Sequence, residues 1–270
     1  LGNGLNVIVA ERHAIPVVQL QLSLDAGYAS DQFTKAGLAK LAMSMLDEGT
    51  AKRNAIEISD ALIMLGASVS TGSNLDTSFV SLSTLTTTLD DSLDVFADVV
   101  LNPSFPAAEL DRLKTQQLTS IRQEQQNPRQ MALRAFPKLI YGDSHAYSNP
   151  FSGSGTVASV DSIELADLSR FHQTWFKANH ATIIVVGDTS LNEILPKLEK
   201  RFGAWRPGDI PVKNISTVKE NDEAVIYLVD RPGSEQSILL TGIVTVPKAN
   251  PDEVAIEAMN DIVGGLATSR

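Results

Sequence analysis

The most constraining feature of the sequence is a stretch in which hydroxyl and apolar residues alternate on both sides of a turn. Residues 67–85 read ASVSTGSNLDTSFVSLSTL, with the turn-forming GSN in the first half. Alternation with a period of two is typical of strands that bury one face and leave the other wet. The stretch therefore predicts a β-hairpin in a sheet that has one solvated face.

Further strands and helices are predicted on both sides of this hairpin. LNVIVAER and VVQLQLSLDAG, separated by Pro16, and the buried run ATIIVVG favour strands. Asn54 and Glu57 form a candidate capping box, and Pro103 predicts the end of a helix. Helical periodicity predicts helices at about 35–47, 55–66, 89–102, 106–126, 127–141, 163–176 and 191–205. This interleaving predicts an α+β fold in which helices cover a mostly antiparallel sheet.

The chain is long enough for more than one domain. The segment RPGDIPVKN has the Pro and Gly spacing of a linker, which divides the chain into 1–208, a linker at 209–220, and 221–270. Residues 224–247 repeat the opening pattern of strand, Pro-containing turn and strand, and a helix is predicted at 251–265. Fifty residues cannot close a core of their own. We therefore expect 221–270 to be the truncated start of a second, similar domain, in a chain excised from a longer one.

Charge and composition exclude several classes of partner. The chain has 22 basic and 32 acidic residues, a formal net charge of −10, and no cysteine. A surface with surplus carboxylates repels nucleic acid and attracts a cationic peptide. The apolar runs are too short to cross a bilayer, and without cysteine no disulfide or thiolate ligand is available.

Several motifs together resemble the insulinase/pitrilysin family of metallopeptidases, which includes the mitochondrial processing peptidase and bacterial processing proteases. The similarity extends over nearly the whole chain and keeps the order and spacing of the motifs. They are LGNGLNVIV, GLAKLAMSMLDEGT, LGASVSTGSN, LNPSFPAAELDRLKTQQLTSI, NPFSGSGTVASVDSIELADLSRFHQTWF and ATIIVVGD with KRFGAW.

The resemblance implies a zinc helix, but the residues at its metal positions are replaced. In the family this helix carries His-x-x-Glu-His, and a Glu from a later long helix completes the ligand set. The corresponding residues here are Lys40, Met43, Ser44 and Ser120. An ammonium has no lone pair, hydroxyls are poor zinc ligands and a thioether cannot take a proton from water. We therefore expect no metal in this chain and no catalytic residue at these positions.

Two interpretations of Lys40 remain open. It lies one helical turn from Ser44, which places a positive charge where zinc would lie and would allow a hydrogen bond to a substrate carbonyl or a carboxylate. Alternatively, Lys40 and Ser44 belong to an ordinary solvated face of the helix.

Other candidate sites are weaker. The histidines, His13, His145, His172 and His180, have no partner at a ligand spacing, and we expect His172 to be packed or at the surface. SGSG at 152–155 lacks the Lys-Ser/Thr ending of a phosphate-binding loop and is expected to be flexible. No GxSxG elbow follows a strand, which argues against a serine hydrolase.

The resemblance also implies a peptide-binding edge strand. In the family the edge of the sheet pairs with an extended peptide. The matching segment, GASVST, places Ser68, Val69 and Ser70 where they would offer backbone groups. The alternative is an edge covered by the chain's own second domain. The family's Arg and Tyr that hold substrate lie beyond Arg270.

The sequence thus predicts a catalytically inactive half of an insulinase-like peptidase. Its expected role is to enclose and recognise unfolded peptides with a zinc-bearing half, in the same polypeptide or a separate subunit, in a bacterial periplasmic setting by resemblance. Two alternatives stay open: a structural scaffold, like the core subunits of respiratory complexes, and a peptidase that uses an unrecognised site.

Overall fold

The structure, a computed structural model, describes residues 1–219 and 223–265. It divides into two units, Leu1–Ser216 with Gln236–Ile238, and Thr217–Glu235 with Leu239–Arg270. No helix in the described residues is both long and apolar enough to cross a membrane.

The first unit contains a five-stranded sheet. Its strands are β1 (Asn6–Glu11), β2 (Val17–Leu24), β3 (Ser68–Ser73), β4 (Ser78–Leu85) and β5 (Ala181–Gly187). They lie in the order β1-β5-β2-β4-β3, and only the β1–β5 pair is parallel. The predicted α+β class and the mostly antiparallel sheet are confirmed.

The described residues of this unit contain eight α-helices; seven of them correspond to predicted helices, and the short helix at Val157–Asp161 was not predicted. The eight are α1 (Leu38–Ser44), α2 (Ala55–Met64), α3 (Leu89–Leu101), α4 (Ala107–Gln126), α5 (Pro128–Tyr141), α6 (Val157–Asp161), α7 (Leu165–Trp175) and α8 (Leu191–Phe202). The predicted capping box is confirmed, because Asn54 and Glu57 accept each other's backbone N–H groups. The predicted helix at 35–47 is shorter, since Gly37, in the left-handed region, starts it and turns follow Ser44.

The sheet buries one face. Alternate residues of the central strands, such as Leu20, Leu22, Leu82 and Ile183, are at most 2% exposed and pack with the helices in one core. The residues between them are mostly polar or exposed, as the alternation predicted. We call the side that carries Gln19, Gln21 and Ile184 the open face.

The start of α1 is fixed by a buried carboxylate. Asp31 accepts the N–H of Gly37 at 2.7 Å and that of Ala39 at 2.9 Å, so it serves two backbone donors that no helical partner satisfies. Gly37 has a φ of +94°, and an added Cβ would lie 2.8 Å from both Nε2 of Gln117 and the carbonyl of Ser154. Only glycine allows this close approach of α1 to α4.

The second unit has little regular structure. It contains α9 (Glu253–Asn260) and a π-helical turn at Asp261–Gly265. The two strands predicted within 224–247 are wrong, since residues 223–250 form no strand and Leu228 and Leu239 are about nine-tenths exposed. A strand needs neighbours to pair with and a surface to bury, and one hairpin supplies too little of either. That 221–270 begins a second domain remains a prediction, and residues 220–222 and 266–270 lie outside the described residues.

The environment of Asp31 predicts a specific pH dependence of stability. Burial raises its pKa from 3.8 to about 7, although the backbone N–H groups of 37–39 act in the opposite direction. Because the folded state binds this proton more tightly than the unfolded chain, the stabilisation is complete below about pH 4. This contribution to the free energy of unfolding is lost as the pH rises through 7, by up to about 1.4 kcal/mol per pH unit.

Urea unfolding of the wild type and of Asp31→Asn between pH 4.5 and 7.5 measures this loss. We expect the unfolding free energy of the wild type to fall relative to that of Asp31→Asn as the pH rises. A difference between the two proteins that does not change with pH would contradict a raised pKa of Asp31.

Candidate functional site

The helix α1 directs Lys40 towards the loop of residues 150–156. The Nζ of Lys40 donates to the carbonyl oxygen of Ser152 at 3.2 Å, and the side chain is only partly buried. Ser44, one turn further on, is exposed and donates its hydroxyl to the carbonyl of Lys40 at 3.1 Å. Lys40 therefore binds a carbonyl of its own chain, which neither sequence interpretation had specified.

Met43 belongs to the apolar core. It is 1% exposed and lies in the cluster formed by the buried face of the sheet and the helices. Its thioether offers no group that could accept a proton from water. Met43 therefore packs in the core at the position where the family that the chain resembles has a general base.

Ser120 lies on α4 beside a polar cavity of about 460 Å³. Its hydroxyl donates to the carbonyl of Gln116 at 3.1 Å. The cavity is lined by Ser120, Gln123, Glu124, Asn127, Gln130 and Ser152. Ser152 is also the residue whose carbonyl accepts from Lys40, so this loop residue contacts Lys40 and borders the same cavity as Ser120.

An ion pair that sequence reasoning missed lies beside this cavity. Glu124 and Arg134 are only 14% and 13% exposed and are hydrogen-bonded to each other. Glu124 also accepts from Ser152 at 3.2 Å and from Ser154 at 2.8 Å. Arg134 donates to the hydroxyl of Ser154 at 2.6 Å and to the carbonyl of Gly155 at 2.5 Å. Glu124 follows Ser120 by one turn on the same face of α4, and this spacing is the sequence signal that could have indicated its place beside Ser120.

These bonds fix the loop at 152–155, so the prediction that it is flexible is wrong. Ser154 is fully buried, and its carbonyl accepts from Gln117, which also donates to the carbonyl of Gly37. Gly153 and Gly155 have positive φ values that let the loop turn between these partners. The loop thus links α1, α4 and α5 next to the positions that the resemblance aligns with the family's metal ligands.

The residues at these positions do not fit zinc. An ammonium, a buried thioether and two hydroxyls replace the lone-pair donors that zinc requires. Among residues 1–219 and 223–265, no cluster of three or more His, Cys, Asp or Glu side chains has a geometry suited to a metal ion. No step of a mechanism is therefore assigned to a metal in this chain.

His172 is packed, which is one of the two roles that the sequence left open. Its Nε2 lies 2.8 Å from the carbonyl of Val100, and its ring is 4.2 Å from that of Phe176. Burial lowers its pKa. The imidazole therefore has a structural role in the interface between α3 and α7.

The hydrogen-bond register of β3 determines which of its residues face the open edge. The strand pairs with β4, and with no other strand of the described residues. The N–H of Asn74 donates to the carbonyl of Thr77 at the hairpin turn. Since bonded pairs alternate along an antiparallel ladder, Ser68 and Ser70 are bonded to Ser83 and Ser81.

The residues between these pairs present their backbone N–H and C=O groups to the open edge. They are Val69, Thr71 and Ser73, whose side chains lie on the core side of the sheet. Of the three residues predicted from the sequence, Val69 thus has free backbone groups, whereas Ser68 and Ser70 use theirs within the sheet. Thr71 could be found only once the register was known.

Comparisons with known proteins place the chain in a family. Residues 6–150 match the family described as Insulinase (Peptidase family M16), and residues 162–270 match the Peptidase M16 inactive domain. The "Non-peptidase homolog YmxG" of Helicobacter pylori is 23% identical over 266 residues, which is 98% of this chain and 60% of the relative.

Two solved structures are similar in fold. The peptidase M16 inactive domain from Pseudomonas fluorescens is 31% identical with a TM-score of 0.74, over 78% of this chain and 51% of that one. A protease from Helicobacter pylori is 20% identical with a TM-score of 0.85, over 100% of this chain and 65% of that one. The chain therefore spans about half to two thirds of the length of these proteins.

The Glu124–Arg134 pair predicts a large loss of stability when one partner is removed. Arg134→Met leaves a largely buried carboxylate without its cation, and we expect the free energy of unfolding to fall by roughly 2–4 kcal/mol. The double variant Glu124→Gln/Arg134→Met should recover most of this loss, because no charge remains unpaired. Urea denaturation measures both.

Arg112→Met is the matched control. Arg112 also bridges two carboxylates, those of Glu48 and Glu109, but it is 53% exposed. Its loss should reduce the free energy of unfolding by less than about 1 kcal/mol. Equal effects of the two substitutions would show that the loop does not depend on the buried pair.

Proposed function

Since the chain belongs to peptidase family M16, the insulinase family, we propose that it is a catalytically inactive half that encloses and recognises peptide substrates with a zinc-bearing half. The observation that carries this proposal is the set of side chains at the family's metal and base positions. Lys40 is bound to a loop carbonyl, Met43 is in the core, and Ser44 and Ser120 donate to their own helices. None of these groups supplies a metal ligand or a general base.

Hydrolysis is assigned to the zinc-bearing half, which is either another section of the same polypeptide or a separate subunit. The match of residues 162–270 to an inactive M16 domain supports the division of labour. So does the similarity to a relative whose name describes it as a non-peptidase. Zinc as cofactor of the partner and a bacterial periplasmic setting remain proposals that rest on the family.

Peptide recognition is assigned to the edge of β3. Val69 and Thr71 each present a backbone N–H and C=O outward at a spacing of two residues, which is the spacing that an added strand requires. Backbone pairing is independent of side chains, so such an edge suits substrates that share an extended, unfolded backbone. The formal charge of −10 favours basic peptides during encounter.

The proposal predicts that the purified chain does not cleave peptides by itself. Incubation with an unstructured basic peptide, with and without a chelator and with added zinc, should give no products by mass spectrometry. Cleavage that the chelator abolishes would contradict the loss of the metal site. Cleavage that the chelator leaves unchanged would instead favour a peptidase with an unrecognised site.

The edge predicts a strand-specific response to peptide N-methylation. A basic peptide methylated at alternate backbone nitrogens keeps one hydrogen-bonding edge intact and can still pair with β3 through that edge, whereas methylation of every backbone nitrogen removes both edges. We expect the fully methylated peptide to bind at least roughly ten-fold more weakly than either alternately methylated isomer, measured as Kd by fluorescence anisotropy. No binding of any unmethylated peptide would favour the structural scaffold.

Two proline variants provide the matched control on the protein. Thr71→Pro removes an outward N–H and should weaken peptide binding several-fold, while the chain stays folded, because proline is tolerated on the free side of an edge strand. Ser70→Pro removes a bond to β4 and should lower the Tm by several degrees, about the shift that 1 kcal/mol or more produces. Equal losses of stability in the two variants would contradict the register.

A further inference from the structure

The open face of the sheet carries two rows of polar side chains that reach the β3 edge. One row runs from Ser68 to Ser83 and Gln19, and the next from Ser70 to Ser81 and Gln21. Both rows border a shallow cavity of about 340 Å³ on this face. All six side chains are uncharged, so this part of the sheet combines hydrogen-bonding capacity with no net charge.

The third row differs in chemistry. Gly72 pairs with Phe79 of β4, and a Cβ added to Gly72 would lie 2.5 Å from Cζ of Phe79 and 2.9 Å from Cε1. The phenyl ring therefore lies across the backbone of Gly72 and extends to the edge strand itself. Phe79 is only partly buried, so some of this ring surface is accessible.

We propose that this arrangement selects the substrate strand by its alternate side chains. The inference rests on the proposed addition of a peptide strand at β3. In such a strand the residues beside Ser68, Ser70 and Gly72 point to the open face and are spaced two apart. The peptide side chains beside Ser68 and Ser70 would be small ones with a hydroxyl or amide group. The peptide side chain beside Gly72, which meets the ring of Phe79, would be aromatic or large and apolar.

The substrate class that follows is a basic, extended peptide. Three of its residues, spaced two apart, point to the open face: two are polar and the third is aromatic. Its overall positive charge complements the formal charge of −10 of the chain. Ser68 and Ser70 offer hydroxyls that donate or accept, so they tolerate several polar partners. The ring at Gly72 is the more selective element, because aromatic pairs add specific contact energy beyond area burial.

A purely structural role for Phe79 is the competing explanation. An aromatic residue that covers a glycine of a neighbouring strand compensates for the missing side chain and stabilises the sheet. In that case substitution of Phe79 would lower stability and would leave the choice between peptides unchanged. The two explanations therefore differ in a binding readout that stability does not determine.

The test uses two isomeric peptides of thirteen residues with lysine at both ends. The first has threonine at positions 3, 5, 9 and 11 and phenylalanine at position 7, so that both chain directions present the same pattern. The second exchanges residues 7 and 8, which moves the aromatic ring to the opposite face of the strand. By fluorescence anisotropy with the 270-residue chain, we expect the first to bind roughly two- to ten-fold more tightly.

Three variants locate the effect. Phe79→Leu removes the ring, and Gly72→Ala keeps the ring but displaces it by the added Cβ; each should reduce the preference to about one-fold while both peptides still bind. The control, Ile8→Ala, changes an exposed residue on the open face at the opposite edge, in β1, and should preserve the preference.

Each outcome has a definite meaning. Equal binding of the two peptides to wild type, or a preference that survives both Phe79→Leu and Gly72→Ala, would overturn the selection and leave peptide binding at β3 in place. Failure of both peptides to bind wild type would overturn the selection and the proposed function together.

Discussion

Burial of a single face of the five-stranded sheet determines where each candidate functional residue lies. The strands alternate core residues such as Leu20 and Leu82 with polar ones such as Gln19 and Ser83, so the helices must pack on one side. That packing brings α1 next to β3 and the long helix α4, and it leaves β3 with one unpaired side. The arrangement of α1 with α4 and the open edge of β3 are therefore consequences of the same alternation.

The loop at 152–155 performs the linking role that a metal would have in a resembling peptidase. A bound ion would connect side chains of α1 and α4 through its coordination bonds. Here Lys40 reaches Ser152 from α1, Glu124 reaches Ser152 and Ser154 from α4, and Arg134 joins them from α5. Each hydrogen bond is individually modest, but partial burial of the ionised pair makes the set sensitive to the loss of one member. The family's fold can thus persist at these positions without zinc.

The sequence predicted what local periodicity and local hydrogen bonds determine. The hairpin at 67–85, the capping box at Asn54 and the helix ending at Gln126 depend on residues close in the chain. The strand order, the register of β3 and the Glu124–Arg134 pair depend on contacts between distant segments, which no periodicity encodes. The strands expected in 224–247 show the same limit, because their residues match a strand pattern without neighbours to complete it.

The peptide binding proposed at β3 would draw on three separate physical contributions. Long-range attraction by surplus carboxylates affects the rate of encounter and is weakened by salt. In the proposed complex, the backbone groups of Val69 and Thr71 would supply hydrogen bonds that every extended peptide can use, and these give affinity without sequence preference. Discrimination must then come from side-chain rows, and only the row at Gly72 changes chemistry along the edge, from hydroxyls to an aromatic ring. Under the proposed function, a chain without the family's catalytic groups would still influence which peptides a zinc-bearing partner receives, because recognition at β3 does not involve the positions of α1 and α4 that carry the metal ligands in the family.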